Sequence, residues 1–308
     1  MKYDFDMTPA QRLEVAEELR GGTLMPPIIT PEMEADLAAC TVDELSVPTR
    51  IGPARVIRVS PPDRTENSPL YINFHGGGFV RPYHKRDTIF CAQTALATGA
   101  LVLDVDYRLA PEHPFPAGLN ECHDVTQWAF ENAGTLGIDP ARIAIGGHSA
   151  GGNFATAICI MAAESGSFRV CGQVLDYPFT DGVTPPEDKL DPRSVMPAWR
   201  MDAFNVLYAE VPENLMNPLL SPVLARTEAL QGLPPALFLI AGLDPLRHEA
   251  RRYAAKLIDA GVDVDIRQFD DCDHGWVVTA RPRHEEARRI IFDWLTSRFA
   301  QHQPGEPI

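Results

Sequence analysis

Short apolar runs rich in β-forming residues alternate along the chain with longer stretches of helical periodicity. The runs are Leu70 to Phe74, Leu101 to Val105, Arg142 to Gly146, Gly172 to Tyr177, Ala236 to Ala241 and Val264 to Phe269. Helical spacing recurs near 87–98, 117–132, 150–164, 246–260 and 282–299. Such alternation predicts a largely parallel sheet held between helices, because each crossover between parallel strands needs a helix to return the chain. Two further strand-like runs precede it, around Glu44 to Ile51 and Arg55 to Ser60. Before these, Thr8-Pro9-Ala10-Gln11 combines an N-cap residue, a proline at the first helical position and a capping-box glutamine. It predicts a short amphipathic helix ending at Gly21-Gly22, with a second helix starting at Thr30-Pro31. The rhythm breaks between Asp181 and Pro222, where prolines and acidic residues surround Met196, Trp199, Met201, Phe204, Leu207 and Tyr208. The pattern therefore predicts a core of residues 46–180 and 223–308, and a cap over it from residues 1–45 and the 181–222 insertion.

Composition narrows the function classes. With 308 residues, 45% of them hydrophobic and 22% charged, the chain can bury a large sheet as one catalytic unit. A formal charge of −15 gives no electrostatic support for binding nucleic acid or an anionic membrane, and favours neutral or cationic small molecules. The six cysteines (Cys40, Cys91, Cys122, Cys159, Cys171 and Cys272) form no C-x-x-C pair and read as reduced core thiols. The stretch Met1 to Asp6 has no basic region followed by an apolar run, and no segment reaches the roughly 18 apolar residues of a membrane span. A cytoplasmic protein is the expectation.

The chemistry lies in three places. Gly147-His148-Ser149-Ala150-Gly151 follows the β-run ending at Gly146 and precedes an apolar helix. That is the context of a nucleophile elbow, a strained turn that presents a serine and has room only for glycines around it. His75-Gly76-Gly77-Gly78 follows the run ending at Phe74. Its glycines let backbone N–H groups approach a developing oxyanion, and the predicted donors are Gly77, Gly78 and Ala150. The order Ser, then Asp, then His assigns Asp244, in Gly242-Leu243-Asp244-Pro245, and His274, in Asp273-His274-Gly275-Trp276. Asp270, Asp271 and Asp273 are the rival acids, expected instead in turns or solvent. His75, His148 and His248 are the rival bases, expected respectively to brace the glycine loop, to point away from the turn and to lie on a helix surface. His84, His113, His123, His284 and His302 show no ligand spacing, so no metal is implied.

With Asp106-Tyr107-Arg108-Leu109-Ala110-Pro111-Glu112-His113-Pro114-Phe115-Pro116-Ala117 and Asp244-Pro245-Leu246-Arg247 added, these motifs resemble the hormone-sensitive-lipase-like esterases, the bacterial family IV carboxylesterases. The resemblance runs from about residue 70 to the end of the chain. It implies an α/β-hydrolase fold with a mostly parallel eight-stranded sheet, flanking helices and a helical cap. It also implies hydrolysis of short- to medium-chain acyl esters and no cofactor. Matched residue by residue, the family's nucleophile falls on Ser149, its acid on Asp244, its base on His274 and its oxyanion donors on Gly77, Gly78 and Ala150. His148 replaces the usual Asp or Thr before the serine, and His248 the usual acidic residue after Asp-Pro-Leu-Arg. The run at Val264 to Phe269, if it forms a sheet edge, offers pairing between two copies. Three alternatives stand beside an esterase: an arylformamidase-like amide hydrolase with the same triad, a non-catalytic small-molecule receptor, which retention of His274 disfavours, and an interfacial lipase, which an acidic, Pro-rich cap disfavours. Tyr83, Tyr177, Phe179, Met196, Trp199, Met201, Phe204 and Tyr208 are candidate pocket walls. Asp106, Tyr107 and Arg108 read as a polar network under the site, and Phe115-Pro116 as a candidate cis peptide.

Overall fold

The computed structural model describes residues 3–22 and 25–301; the readings of Met1, Lys2 and His302 fall outside them. Among the described residues eight strands form one sheet: β1 (Thr41–Val47), β2 (Ala54–Ser60), β3 (Ser68–Phe74), β4 (Leu101–Asp106), β5 (Ile138–His148), β6 (Gly172–Asp176), β7 (Ala236–Ala241) and β8 (Val264–Phe269). Their order is β1-β2-β4-β3-β5-β6-β7-β8. β2 runs antiparallel to both β1 and β4, and every pairing from β4 onward is parallel. This is the sheet that the resemblance implies.

Eleven α-helices connect and cover it among the described residues. They are α1 (Pro9–Gly21), α2 (Pro31–Ala39), α3 (Lys85–Thr98), α4 (Ala117–Glu131), α5 (Ala133–Leu136), α6 (Ala150–Ser165), α7 (Pro186–Lys189), α8 (Ala198–Ala209), α9 (Thr227–Leu230), α10 (Arg247–Asp259) and α11 (His284–Gln301). One apolar cluster joins Leu119 of α4, Phe154 of α6 and Tyr253 of α10 to one face of the sheet. A second joins Phe90 of α3 with Ile291 and Trp294 of α11 on the other. Both faces being covered, β6 and β7 are buried at every residue, whereas β1 and β8 at the edges are half exposed.

Three boundaries differ from the periodicity. β1 ends at Val47, four residues before Ile51, because Pro48 to Gly52 turn the chain, with Gly52 N–H donating to Thr49 O at 3.1 Å and Gly52 at φ 108°. β5 starts at Ile138, earlier than Arg142, across a register shift opposite Ser68 and Leu70. β6 stops at Asp176, since Tyr177 turns the backbone to φ 37°. The capping box at Thr8 forms as the sequence predicts. The Phe115–Pro116 bond is cis, as is Ala110–Pro111.

Between β6 and β7 the 181–222 segment supplies α7 and α8, and α8 packs against α1. Arg12 of α1 donates to Val206 O at 2.8 Å and Glu210 O at 3.0 Å, satisfying carbonyls in the last turn and just beyond α8. Arg20 forks onto Glu112 at 2.6 and 2.7 Å, tying α1 to the core.

Candidate active site

β5 delivers Ser149 at the sheet's carboxyl edge, and α6 begins one residue later. Ser149 sits at φ 55°, ψ −111°, a conformation costing roughly 1–3 kcal/mol that neighbouring bonds must impose. Its N–H donates to Asp176 O at 2.9 Å, and its own carbonyl accepts from Phe179 N–H at 3.1 Å and Asn153 N–H at 3.2 Å. A Cβ on Gly147 would lie 2.3 Å from Phe74 O, and one on Gly151 1.8 Å from it, so only glycine fits at either position. The residue before the serine, His148, is buried and bonds Asp176 Oδ2 through Nδ1 at 2.7 Å. Burial, with Arg288, Arg86 and His75 nearby, pushes its imidazole down to about 3; burial also pushes the Asp176 carboxyl well up. Both directions favour an uncharged pair sharing one proton.

The loops after β7 and β8 bring Asp244 and His274 together. Asp244 Oδ2 meets His274 Nδ1 at 2.7 Å, while Oδ1 accepts from Leu246 N–H at 2.9 Å, which fixes the carboxylate plane. Donation of the Nδ1 proton to Asp244 leaves Nε2 as the basic nitrogen. Burial pushes the His274 imidazole down, but the Asp244 charge and hydrogen bond, helped by Asp273 and Glu249, carry it above its ordinary value. The rival acids are engaged elsewhere. Asp270 takes a bond from Gln268, and Asp271 pairs with Arg283 at 2.8 Å. Asp273 is half-buried, and beyond its place in the turn it accepts from Ser194 Oγ at 2.7 Å, Val195 N–H at 2.6 Å and His274 N–H at 2.7 Å. Among the rival bases, His75 stacks on Tyr107 at 4.1 Å with its Nδ1 at 2.9 Å from Gly76 O, and His248 is exposed. Tyr107 Oη donates to His75 O at 2.7 Å, Arg108 pairs with Glu121 and Asp106 with Arg55, which makes that motif a brace beneath the glycine loop.

Gly77 and Gly78 adopt φ 142° and 60°, and Gly77 O accepts from Val80 N–H at 3.2 Å and Arg81 N–H at 3.0 Å, curling the loop. Their N–H groups and that of Ala150, at the start of α6, have no hydrogen-bond acceptor among the described residues. A cavity of about 110 Å³ joins Gly77, Gly78, Ala150, Ser149 and His274. Of the candidate walls, Tyr177, Phe179, Met196, Met201 and Phe204 line it. Tyr83, Trp199 and Tyr208 do not. Tyr83 turns behind the glycine loop, bonding Thr88 with Arg55 over its ring, and Tyr208 stacks on Phe79 at 3.7 Å in the core. Sequence reasoning missed Phe79, Arg81, Lys189 and Arg200, which line the cavity from loops and helices with no motif of their own. A roomier hollow of about 460 Å³ near Cys159, Phe168 and Leu233 contains no serine or histidine. Among the described residues, no cluster of three His, Cys, Asp or Glu side chains could hold a metal ion, and no helix is long and apolar enough to cross a membrane.

A family model described as the α/β-hydrolase fold matches residues 71–278. Esterase LipI of Mycobacterium tuberculosis is 38% identical over 219 residues, covering 70% of this chain and 68% of the relative. Carboxylesterase NlhH of the same organism is 34% identical over 280 residues, 89% of this chain and 85% of the relative. A solved esterase of Pyrobaculum calidifontis superposes with a TM-score of 0.81 at 32% identity, over 96% of this chain and 94% of that one. Sheet order, motif order and relatives agree: the chain belongs to the α/β-hydrolase fold family, in its hormone-sensitive-lipase-like esterase branch.

Proposed function

We propose that the chain is a carboxylesterase acting on short- to medium-chain acyl esters, with Ser149 as nucleophile, His274 as base and Asp244 as its orienter. The observation that carries this is a serine held at φ 55° on a strand-to-helix turn, sharing one cavity with a histidine whose Nδ1 is pinned by a buried carboxylate at 2.7 Å. Nε2 of His274 takes the Ser149 proton as Oγ attacks the ester carbonyl. The oxyanion is received by the N–H groups of Gly77, Gly78 and Ala150, and the protonated imidazole returns its proton to the leaving alkoxide. Water then releases the acyl group by the same steps in reverse. The stretch before β1 and residues 181–222 act as the cap that shapes the acyl site, the boundary falling at Thr41 rather than Ser46 because Thr41 to Leu45 already pair with β2 in the sheet, and the exposed β8 edge is where two copies would pair. Six unpaired cysteines suit a reducing cytoplasm.

Ser149→Ala should lower hydrolysis of 4-nitrophenyl butyrate by about a thousandfold or more, with an unchanged circular-dichroism melt. Turnover that survives the substitution overturns the assignment. Since only the neutral imidazole serves as base and His274 is raised, the acid limb of kcat/KM should fall above about pH 6.5 in a pH-rate series.

A further inference from the structure

In a chain of formal charge −15, the cavity around Ser149 is lined by Arg81, Arg86, Lys189 and Arg200 and, among the described residues, by no carboxylate. Two of these charges are already answered. Lys189 Nζ binds Glu249 Oε2 at 2.5 Å, and Arg86 Nε lies 3.7 Å from Asp87 Oδ1. The other two are not: among the described residues neither Arg81 nor Arg200 has a carboxylate within 4.0 Å. Arg200 is buried and, among the described residues, its hydrogen bonds go to backbone carbonyls, Leu19 O at 3.4 Å and Gly22 O at 3.2 Å. Its guanidinium lies 5.5 Å over the Phe204 ring, and that ring presses on the glycine loop, since a Cβ on Gly78 would fall 2.3 Å from Phe204 Cγ. Arg81 follows the same loop, and its buried Nε has no acceptor. Burial pushes the Arg81 guanidinium down to about 10, the charges of Arg200 and Arg86 add to the shift, and the more distant Asp87 carboxylate offsets only part of it.

A guanidinium drawn out of water without a counter-charge is costly, and a second like charge nearby adds to the cost. Such an arrangement persists where an anion from outside completes it, because arginine forks match carboxylate geometry. We propose that the cavity selects esters bearing a second, ionised carboxylate, with Arg81 and Arg200 as its receptor. The inference rests on the esterase reading of Ser149. It reverses the expectation from whole-chain charge, which favours neutral or cationic ligands: the field of the molecule and the field of the cavity have opposite signs.

The charge can reside in either half of the ester, so two matched pairs are compared. Mono-4-nitrophenyl adipate against 4-nitrophenyl hexanoate places it on the acyl half; 4-acetoxybenzoate against methyl 4-acetoxybenzoate places it on the alcohol half. The wild-type protein should show a higher kcat/KM for the anionic member of at least one pair. Arg81→Gln and Arg200→Gln should each cut that ratio by about tenfold, and Arg81→Lys should restore part of it. The ratio is internal to each protein, so partial misfolding does not imitate it, and Arg81→Gln removes no side-chain hydrogen bond among the described residues. Preference for the neutral member in both pairs, or a ratio that neither variant moves, overturns the carboxylate receptor while leaving the esterase intact. No turnover of any of the four esters overturns the esterase reading and the inference with it.

Discussion

Asp244 acts on His274 through one short bond, and that bond has two separable consequences. It fixes which nitrogen is free, and it raises the imidazole against the opposing effect of burial. Asp244→Asn should therefore lower kcat by about 10⁴-fold, by permitting the wrong tautomer, and should also move the acid limb of the residual activity to lower pH. A pH-rate profile of the variant reads both; a limb that stays in place would mean that Asp244 does not set the imidazole's proton affinity. His148 and Asp176 make a second histidine–carboxylate contact of the same 2.7 Å length, yet its chemistry is opposite. Both groups are fully buried, and their shifts favour the uncharged state, so the pair is a brace for the turn. Its target is close at hand, because Asp176 O receives the Ser149 N–H. His148→Ala should cost roughly 2–4 kcal/mol, read as a lower denaturant midpoint, from the lost ring contact with Phe90 and the bond left unmade.

At the level of elements, the strand–turn–helix of β5 and α6 is a unit whose sequence leaves little freedom. Gly151→Ala should fail to give stable protein, since the new methyl carbon would overlap Phe74 O at 1.8 Å, a collision between two backbone segments that no rotamer relieves. A melting temperature near the wild type's would contradict that. The same rigidity explains what the sequence makes legible. Glycines around Ser149, three glycines after β3, and the Ser, Asp, His order are dictated by local sterics and by which strand ends meet, so they are written in short spans. The buried strands are legible because both faces are covered and each reads as a continuous apolar run. Tyr83 is different. Its nearness to the glycine loop suggests a pocket wall, but the His84 cap, whose Nδ1 accepts from Arg86 N–H at 3.1 Å, opens α3 at that point, and the ring lies behind the loop. Tyr208 and Phe204 stand one turn apart on α8, and only packing decides that one stacks in the core and the other walls the cavity. The unanswered charges of Arg81 and Arg200 are invisible in sequence, because a missing partner is a fact about space.

For the whole molecule, the parts that surround the cavity come from distant stretches of chain; Leu19 of α1 and Leu207 of α8 join the apolar core, and polar ties add to that packing: Arg12 to the end of α8, Arg20 to Glu112, Arg252 to Asp181, and Ser194 with Val195 to Asp273. Asp273→Ala removes the last of these at once. It should raise KM for 4-nitrophenyl butyrate and lower kcat by about tenfold together, whereas an effect on KM alone would confine Asp273 to the 181–222 segment. The reason lies in its third bond, to the N–H of His274. One carboxylate fastens both a stretch that lines the cavity and the peptide that carries the proposed base. If residues 194–195 swing outward, Asp273 loses two of its three donors, and the imidazole's own backbone slackens with it. A wall of the cavity and the imidazole inside it thus hang from one carboxylate, so that a disturbance at either is felt at the other.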